Sequence, residues 1–539
     1  MHGRPVVTSD VEAVPSHPDR WRILVVLVLA LLVTSIDHTI INVALPRLVT
    51  ELGTSSAGLQ WVVAAYTVVF AGLLLSAGSL GDRFGRRHAL IAGVTTFMAG
   101  SIGAALSTST GALVGSRAVM GLGGALIMPT TLSILVNVFG DPRERAKAIA
   151  IWTAVTGLGI ALGPIAGGAL MRSFSWSWVF WINVPLLIVA LLGALHVVPD
   201  SRDRNATSID PVGALLSIAA IGSLVYAVID APEHGWTSST SFGALTVGAV
   251  AELAFVGWEL RRDDPMLDIR LFRNRGFSAG SVTLAALFFA MAGAIFLQAQ
   301  YLQFILGYTP LAAGFALVPA ALGVLAGSGA GAHLATMVGG RVAVVTGTAV
   351  AAGGMAIQAA FTNGTSYVPT GFGLLLFGLG AGIAMPAATE LIMATLPAAR
   401  AGVGSAVNDT VREVGGALGV AVIGSVAASA YSASLHAKLD QLGGIPSGMR
   451  AAASNNVGAA LEVSRHLATN GVALATAARD AFVTSMTSSL WVSVAGAALA
   501  TVIAFTYLPR RAAAVGHHGH GHGHRPSVAV HSGHLEGLR

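Results

Sequence analysis

Apolar runs of about 20 residues, separated by short polar and charged stretches, recur from residue 23 to residue 508. Each is long enough to cross a hydrocarbon core of roughly 30 Å at about 1.5 Å per helical residue. The pattern predicts fourteen membrane-spanning helices, over residues 23–45, 59–79, 88–107, 111–133, 146–170, 178–198, 211–229, 242–260, 279–304, 311–334, 342–361, 371–392, 403–428 and 487–508. The first run lacks a small-residue cleavage site and ends in a charged, proline-bearing stretch, so it reads as a retained helix. Residues 429–486 are Ala- and Ser-rich and long enough for a short helical hairpin outside the membrane. The tails, residues 1–22 and 510–539, are polar and need no fold.

Composition fits this reading: of 539 residues, 54% are hydrophobic and 10% charged, against roughly a quarter charged in soluble proteins. The 66 glycines would weaken soluble helices, but in a bilayer they let helix backbones approach closely. A net charge of +5 raises the question of a nucleic-acid partner, yet the basic residues cluster in alternate short loops. These carry Arg83, Arg86 and Arg87; Arg143, Arg145 and Lys147; Arg202 and Arg204; Arg261, Arg262, Arg270, Arg273 and Arg275; Arg341; and Arg400. That asymmetry is a topology signal: it places both termini in the cytoplasm and requires an even number of spans in a multi-pass inner-membrane protein. The absence of cysteine removes disulfides, thiolate nucleophiles and zinc-thiolate sites.

Span one holds Asp37 in the run Ser35-Ile36-Asp37-His38-Thr39-Ile40-Ile41-Asn42-Val43-Ala44-Leu45-Pro46. A carboxylate inside the bilayer costs several kcal/mol even on lenient scales (about 2.5–3.5), so it is a candidate proton carrier before it is a structural group. His38 points about 100° away and reads as a packed or pore-lining polar residue. Span four holds Arg117, followed by Gly121, Gly123, Gly124 and Ala125. At about 1.5 Å per residue, Arg117 lies about 9 Å and Asp37 about 12 Å below the outer ends of their spans, so the two are expected to meet. The pair suits a proton switch; a static ion pair is the alternative. Gly78 to Arg87, with Gly81, Asp82, Arg83, Gly85, Arg86 and Arg87, reads as a tight turn in which Asp82 caps a helix and the arginines latch the inner face. Span five carries Gly157, Gly159, Gly163, Pro164, Gly167 and Gly168. Three of these glycines, 159, 163 and 167, are four apart and fall on one face for close packing, while Pro164 bends the helix.

These motifs resemble the major facilitator superfamily, and within it the fourteen-helix drug:proton antiporters of the EmrB/QacA type. The resemblance covers nearly all of residues 23–508. It rests on Asp37–Pro46, on Gly78–Arg87, on Arg117–Ala125 and on Gly157–Gly168. Trp176–Pro185 adds to it, as does Tyr301-Leu302-Gln303 through Gly307-Tyr308 with Gly314 and Pro319. It implies an all-α membrane protein: a six-helix bundle over residues 23–200, two inserted helices over 201–264, and a second six-helix bundle over 265–509. The chain departs from the pattern in two places. In the second bundle's counterpart of the loop, Leu334–Arg341, Thr336 and Met337 stand where Asp82 and Arg83 do in the first. In span thirteen, Asn408-Asp409-Thr410-Val411-Arg412-Glu413 carries Glu413 where an amide is common; it reads as Arg412's counter-ion, with a second protonation site as the alternative.

The resemblance carries an expectation of function: export of amphipathic or cationic drug-like compounds by alternating access, driven by the proton gradient and without a cofactor or metal. Asp37 would carry the proton and Arg117 tune it. The cavity wall would include Asn42, Phe288, Phe289, Met291, Phe296, Gln298 and Gln300, whose soft and aromatic surfaces suit varied ligands. The expected partners are a small amphipathic molecule, protons and lipid, with no nucleic acid and a monomeric transport unit. A dedicated exporter of one endogenous product is the nearest alternative, and a non-transporting sensor or scaffold a distant one. No nucleophile–base pair or phosphate-binding Gly-Lys-Ser/Thr loop suggests an enzyme or an ATP-driven pump. Glu252 reads as a structural or interface group and Glu390 as headgroup-facing. His517, His518, His520, His522 and His524 read as a flexible tail, and Asn363-Gly364-Thr365 as a chance glycosylation match.

Overall fold

In a computed structural model that describes residues 16–202, 209–362, 364–396, 401–442, 445–467 and 470–508, the apolar runs are helices. The histidine tail, Asn363, Arg204 and Arg400 lie outside the described residues. The order is α1 (Arg20–Leu52), α2 (Ser56–Phe84), α3 (Arg86–Ala105), α4 (Thr110–Val138), α5 (Pro142–Ser173), α6 (Trp178–Trp181), α7 (Asn183–His196), α8 (Pro211–His234) and α9 (Ser239–Arg261). After a 3-10 turn at Ile269–Arg273 come α10 (Arg275–Gln300), extended by a π turn, α11 (Pro310–Ala316), α12 (Val318–Val338), α13 (Gly340–Gln358) and α14 (Tyr367–Met393). The chain ends with α15 (Ala401–Leu442), α16 (Ser447–Asn455), α17 (Val457–His466) and α18 (Gly471–Tyr507). No strand occurs among the described residues, as a bilayer requires of a chain that satisfies its backbone within each span.

Thirteen helical segments are long and apolar enough to span, and α5, bent by 42° between Pro142–Gly159 and Ala161–Ser173, brings the number to fourteen. The bend has a local cause: Pro164 has no N–H to give the carbonyl four residues back, and its ring crowds that carbonyl. α6–α7 and α11–α12 each count as one span. The spans that bracket residues 429–486 run much further than the apolar pattern indicated: α15 continues to Leu442 and α18 starts at Gly471. Only α16 and α17 form the hairpin between them, packed on each other.

α1 through α7 pack together, α10 through α15 pack with α18, and α8, paired with α9, packs against α2 and α15 at the seam between the two groups. With fourteen spans, the start of α1 and the end of α18 lie on one side, the termini side, opposite a far side. Glycine sets the closest helix contacts. On Gly323, Gly327 and Gly331 of α12, a methyl would collide with backbone atoms of Leu375, Leu379 and Ile383 in α14, the close approach that small residues permit where no water drives association.

Across the seam, the far side is closed. Gly168 of α5 lies on Pro310 and Leu311, and Gly314 of α11 lies on Pro164. The Gln303 amide donates to the Val43 carbonyl of α1 at 3.0 Å.

Candidate functional site

Asp37 of α1 and Arg117 of α4 form an ion pair in the interior, with side chains 0% and 1% exposed. A buried pair holds only if the remaining donors and acceptors are met, and here they are. Arg117 Nε donates to the Val62 carbonyl at 3.1 Å, and the guanidinium carbon lies 4.6 Å from the centre of the Tyr66 ring, within cation–π range. Asn183 of α7 donates from Nδ2 to Asp37 Oδ1 at 3.3 Å and to Ser101 Oγ at 3.1 Å, and Ser101 donates to the Phe180 carbonyl at 2.8 Å. Four helices, α1, α2, α4 and α7, thus meet at one carboxylate and one guanidinium, with Ser101 of α3 and Phe180 of α6 behind Asn183. The glycines after Arg117 make room for them. A Cβ on Gly121 would lie 2.5 Å from the Tyr66 carbonyl oxygen, and one on Gly124 2.8 Å from the Tyr66 hydroxyl, so α2 lies on α4 with Tyr66 beside Arg117.

Tyr66 and Asn183 are the site members that sequence reasoning missed. Asn183 stands inside the Trp176–Pro185 motif, and its signal was an amide in an apolar helix. Tyr66 gave none, because an aromatic residue in a span is ordinary. His38, beside Asp37 but turned away from it, is exposed and sets its ring edge-on to Tyr66 at 6.0 Å. Asn42 is buried one turn on from His38, its amide bonded to the Thr39 carbonyl at 3.4 Å.

The expected Arg412–Glu413 pair does not form. Arg412 pairs with Asp409 at 3.4 Å and stacks over Phe288 at 4.6 Å. The reason is helical: residues one apart diverge by about 100°, while residues three apart share a face. Glu413 makes no ion pair or hydrogen bond among the described residues and interacts electrostatically with His38 across the seam and with Arg412 and Asp409. Asn408 accepts from Thr389 Oγ1 of α14 at 3.1 Å.

The loop motif is not a turn with an Asp cap. α2 runs through Asp82 to Phe84, and the single break is Gly85 at φ +111°, a conformation glycine adopts at no steric cost. Asp82, still helical, pairs with Arg86 at 2.7 Å and accepts from Ser133 Oγ at 3.3 Å. Arg87 donates to the Leu195 carbonyl, and Arg83 is exposed; Gly81 packs on Thr130 and Ala89. The contacts found for this motif stay with α3, α4, α7 and residues 200–202. Its counterpart breaks at Gly339, φ +101°, but Thr336 bonds only its own helix and Met337 is exposed.

In α5, Gly159, Gly163 and Gly167 face α1, against Ser35, Ile36, Thr39 and Ile40, around Asp37. Gly168 turns to α11, and a Cβ on Gly157 would touch nothing within 4 Å. The expected cavity wall on α10 does not exist as one wall. At about 100° per residue, Phe289, Phe296 and Gln300 fall on one face and Phe288, Met291 and Gln298 on another. Phe289 lies on Gly419 and near Gly496, Met291 packs in the second bundle's core, and the Gln298 amide is buried without a hydrogen-bond partner. Glu252 is exposed midway along α9 and Glu390 exposed near the termini-side end of α14. Among the described residues, no three His, Cys, Asp or Glu side chains gather as a metal site.

Residues 27–420 match the family model of the Major Facilitator Superfamily. The chain is 36% identical over 413 residues to the multidrug resistance protein Stp of Mycobacterium tuberculosis, covering 77% of each. It is 35% identical over 481 residues to the multidrug efflux pump LfrA of Mycolicibacterium smegmatis, covering 88% of this chain and 94% of that one. A tetracenomycin C resistance and export protein of Streptomyces glaucescens is 33% identical over 432 residues, with 79% and 80% covered. Among solved structures, a bacterial homologue of the human lysosomal transporter Spinster, inward-facing and unoccupied, superposes with a TM-score of 0.65 at 19% identity, covering 92% of this chain and 99% of that one. A multi-pass helical chain with this site and these relatives belongs to the major facilitator superfamily.

Proposed function

We propose that this protein is a proton-driven antiporter that exports amphipathic or cationic drug-like compounds by alternating access. The observation that carries the reading is the sealed Asp37–Arg117 pair, in a chain related to multidrug resistance and efflux proteins. The arginine-bearing loops favour a cytoplasmic termini side. The far side is then the outer face, and this state is closed towards it.

In that state Asp37 is ionised and held by Arg117. A proton arriving on Asp37 removes one half of the pair, frees α1 from α4, and lets α1 move along the glycine track of α5. Arg117 sets how readily the proton is taken, with Tyr66 and Asn183 fixing the two side chains between exchanges. On the other side of the seam, Glu413 makes no ion pair among the described residues, which suits contact with a cationic substrate. Asp82, Arg83 and Arg86 hold the cytoplasmic ends of α2 and α3 through the change of state. The energy source is the proton gradient, the partners are substrate, protons and lipid, and one chain is the transport unit.

A dedicated exporter of one endogenous product is the second reading, favoured by the relative named for tetracenomycin C resistance and export. Both readings are tested in inside-out vesicles energised to an acid interior. Added substrate should release the gradient with the parental protein and not with Asp37→Asn. Proton-coupled export by Asp37→Asn at the parental rate refutes the assignment. A response to one compound class alone selects the dedicated exporter.

A further inference from the structure

The α16–α17 hairpin is carried by α15 and α18 of the second bundle, yet it is fastened to the first. Ser56 Oγ at the start of α2 donates to the Asn455 carbonyl at 2.6 Å. Asn456 Nδ2, buried, donates to the Thr54 carbonyl at 3.1 Å. Gly458 of α17 lies between Val49 of α1 and Phe304, both within 3 Å of where its Cβ would stand. Within the second bundle, Tyr431 Oη donates to the Ala453 carbonyl at 3.1 Å, seating the hairpin on α15.

Beneath it lies a cavity of about 30 Å³ between α2, α10, α15, α17 and α18, whose walls include Gln60, Phe296, Gln300, Tyr431, Asn456 and Phe482. That is room for about two waters at roughly 15 Å³ each, far below the roughly 300 Å³ a drug-sized ligand needs. No residue lining it is charged. Gln60 lies flat on Gly424 and accepts from Ser425 Oγ at 3.1 Å, so both bundles contribute polar atoms. It stands six residues outward of Tyr66 on α2, about 9 Å at the helical rise, and meets α15 across the seam.

We propose that this cavity is the collapsed exit subsite for the amphipathic substrate, and that the α16–α17 hairpin is the lid that must lift from the first bundle to open it. Amide, hydroxyl and ring surfaces there accept an aromatic body without a counter-charge, so a cation leaving Glu413 gains no ion pair and is released. The proposal rests on the export reading, and two independent measurements keep their failures apart.

The chain has no cysteine, so Ser56→Cys/Asn455→Cys creates a single cross-link between lid and first bundle. Bridged protein should lose at least tenfold of its ethidium export in vesicles and regain it on reduction. The single variant Asn455→Cys, which has no partner thiol to bridge to, is the control and should export equally under oxidant and reductant. In the second measurement, Gln60→Cys is labelled from outside intact cells with a sulfonated, membrane-impermeant maleimide. Adding Asn456→Ala should speed labelling about fivefold, the shift expected from one lost hydrogen bond. Parental export by the bridged Ser56–Asn455 pair, or labelling unmoved by Asn456→Ala, overturns the proposal. If the parental protein exports no ethidium while labelling still responds, the broad drug-export reading fails and the lid stands.

Discussion

Removing the charge of Asp37 leaves the Arg117 guanidinium 1% exposed with the Val62 carbonyl at 3.1 Å and the Tyr66 ring at 4.6 Å as its remaining support. Breaking a buried ion pair from one side costs about 3–5 kcal/mol. In Asp37→Asn the new amide oxygen still accepts a hydrogen bond from Arg117, which places the loss near the lower end, about 3 kcal/mol. Arg117→Gln should cost less, because a stranded carboxylate can take up a proton whereas a guanidinium cannot lose one. The double variant, Asp37→Asn/Arg117→Gln, faces two neutral amides and should recover about 2–3 kcal/mol relative to the sum of the singles. Equilibrium unfolding in mixed micelles, followed by tryptophan fluorescence (nine tryptophans), reads all four proteins. Additive losses, or an Asp37→Asn variant as stable as the parent, would show that the pair is not a sealed, mutually dependent unit.

The packing sets three further outcomes. Gly163→Ala should cost about 1–3 kcal/mol because its Cβ would stand 2.8 Å from the Ile36 carbonyl oxygen and 3.1 Å from the Ile40 amide, whereas Gly157→Ala, in open space, should gain up to about 1 kcal/mol; thermal unfolding distinguishes them. Glu413→Gln should leave stability within about 0.5 kcal/mol of the parent but weaken export of cationic over neutral compounds, while Asp409→Asn, whose bond to Arg412 is partly exposed, should cost no more than about 1 kcal/mol; equal export of cations by Glu413→Gln counts against a substrate role. Gly85→Ala forces a side chain into φ +111° against Asp200 and His88 and should cost about 1–2 kcal/mol, read as a lower unfolding temperature with normal substrate binding.

Much of the fold was legible because a bilayer leaves few choices. Without water to bond the backbone, each apolar run had to become a helix, and spacing four apart placed three glycines of α5 on the face that meets α1. Depth along each helix brought Asp37 and Arg117 to the same level before any contact was known, since rise per residue is fixed. What escaped were properties of more than one helix. The partner of Arg412 is decided by which neighbours share a helical face, and adjacency in sequence pointed to Glu413 over the residue three away. Asp82 stayed in α2 because Gly85 alone absorbs the turn, so the carboxylate found Arg86 in place of a helix end. The α10 residues separated onto two faces, a division composition cannot express. The α16–α17 hairpin is expected from the sequence as a hairpin outside the membrane, but its seat is not, because Thr54, Ser56 and Val49 lie some 400 positions away. Periodicity and depth are local and belong to the chain by itself; the meeting of bundles across the seam is long-range, and only the folded structure decides it.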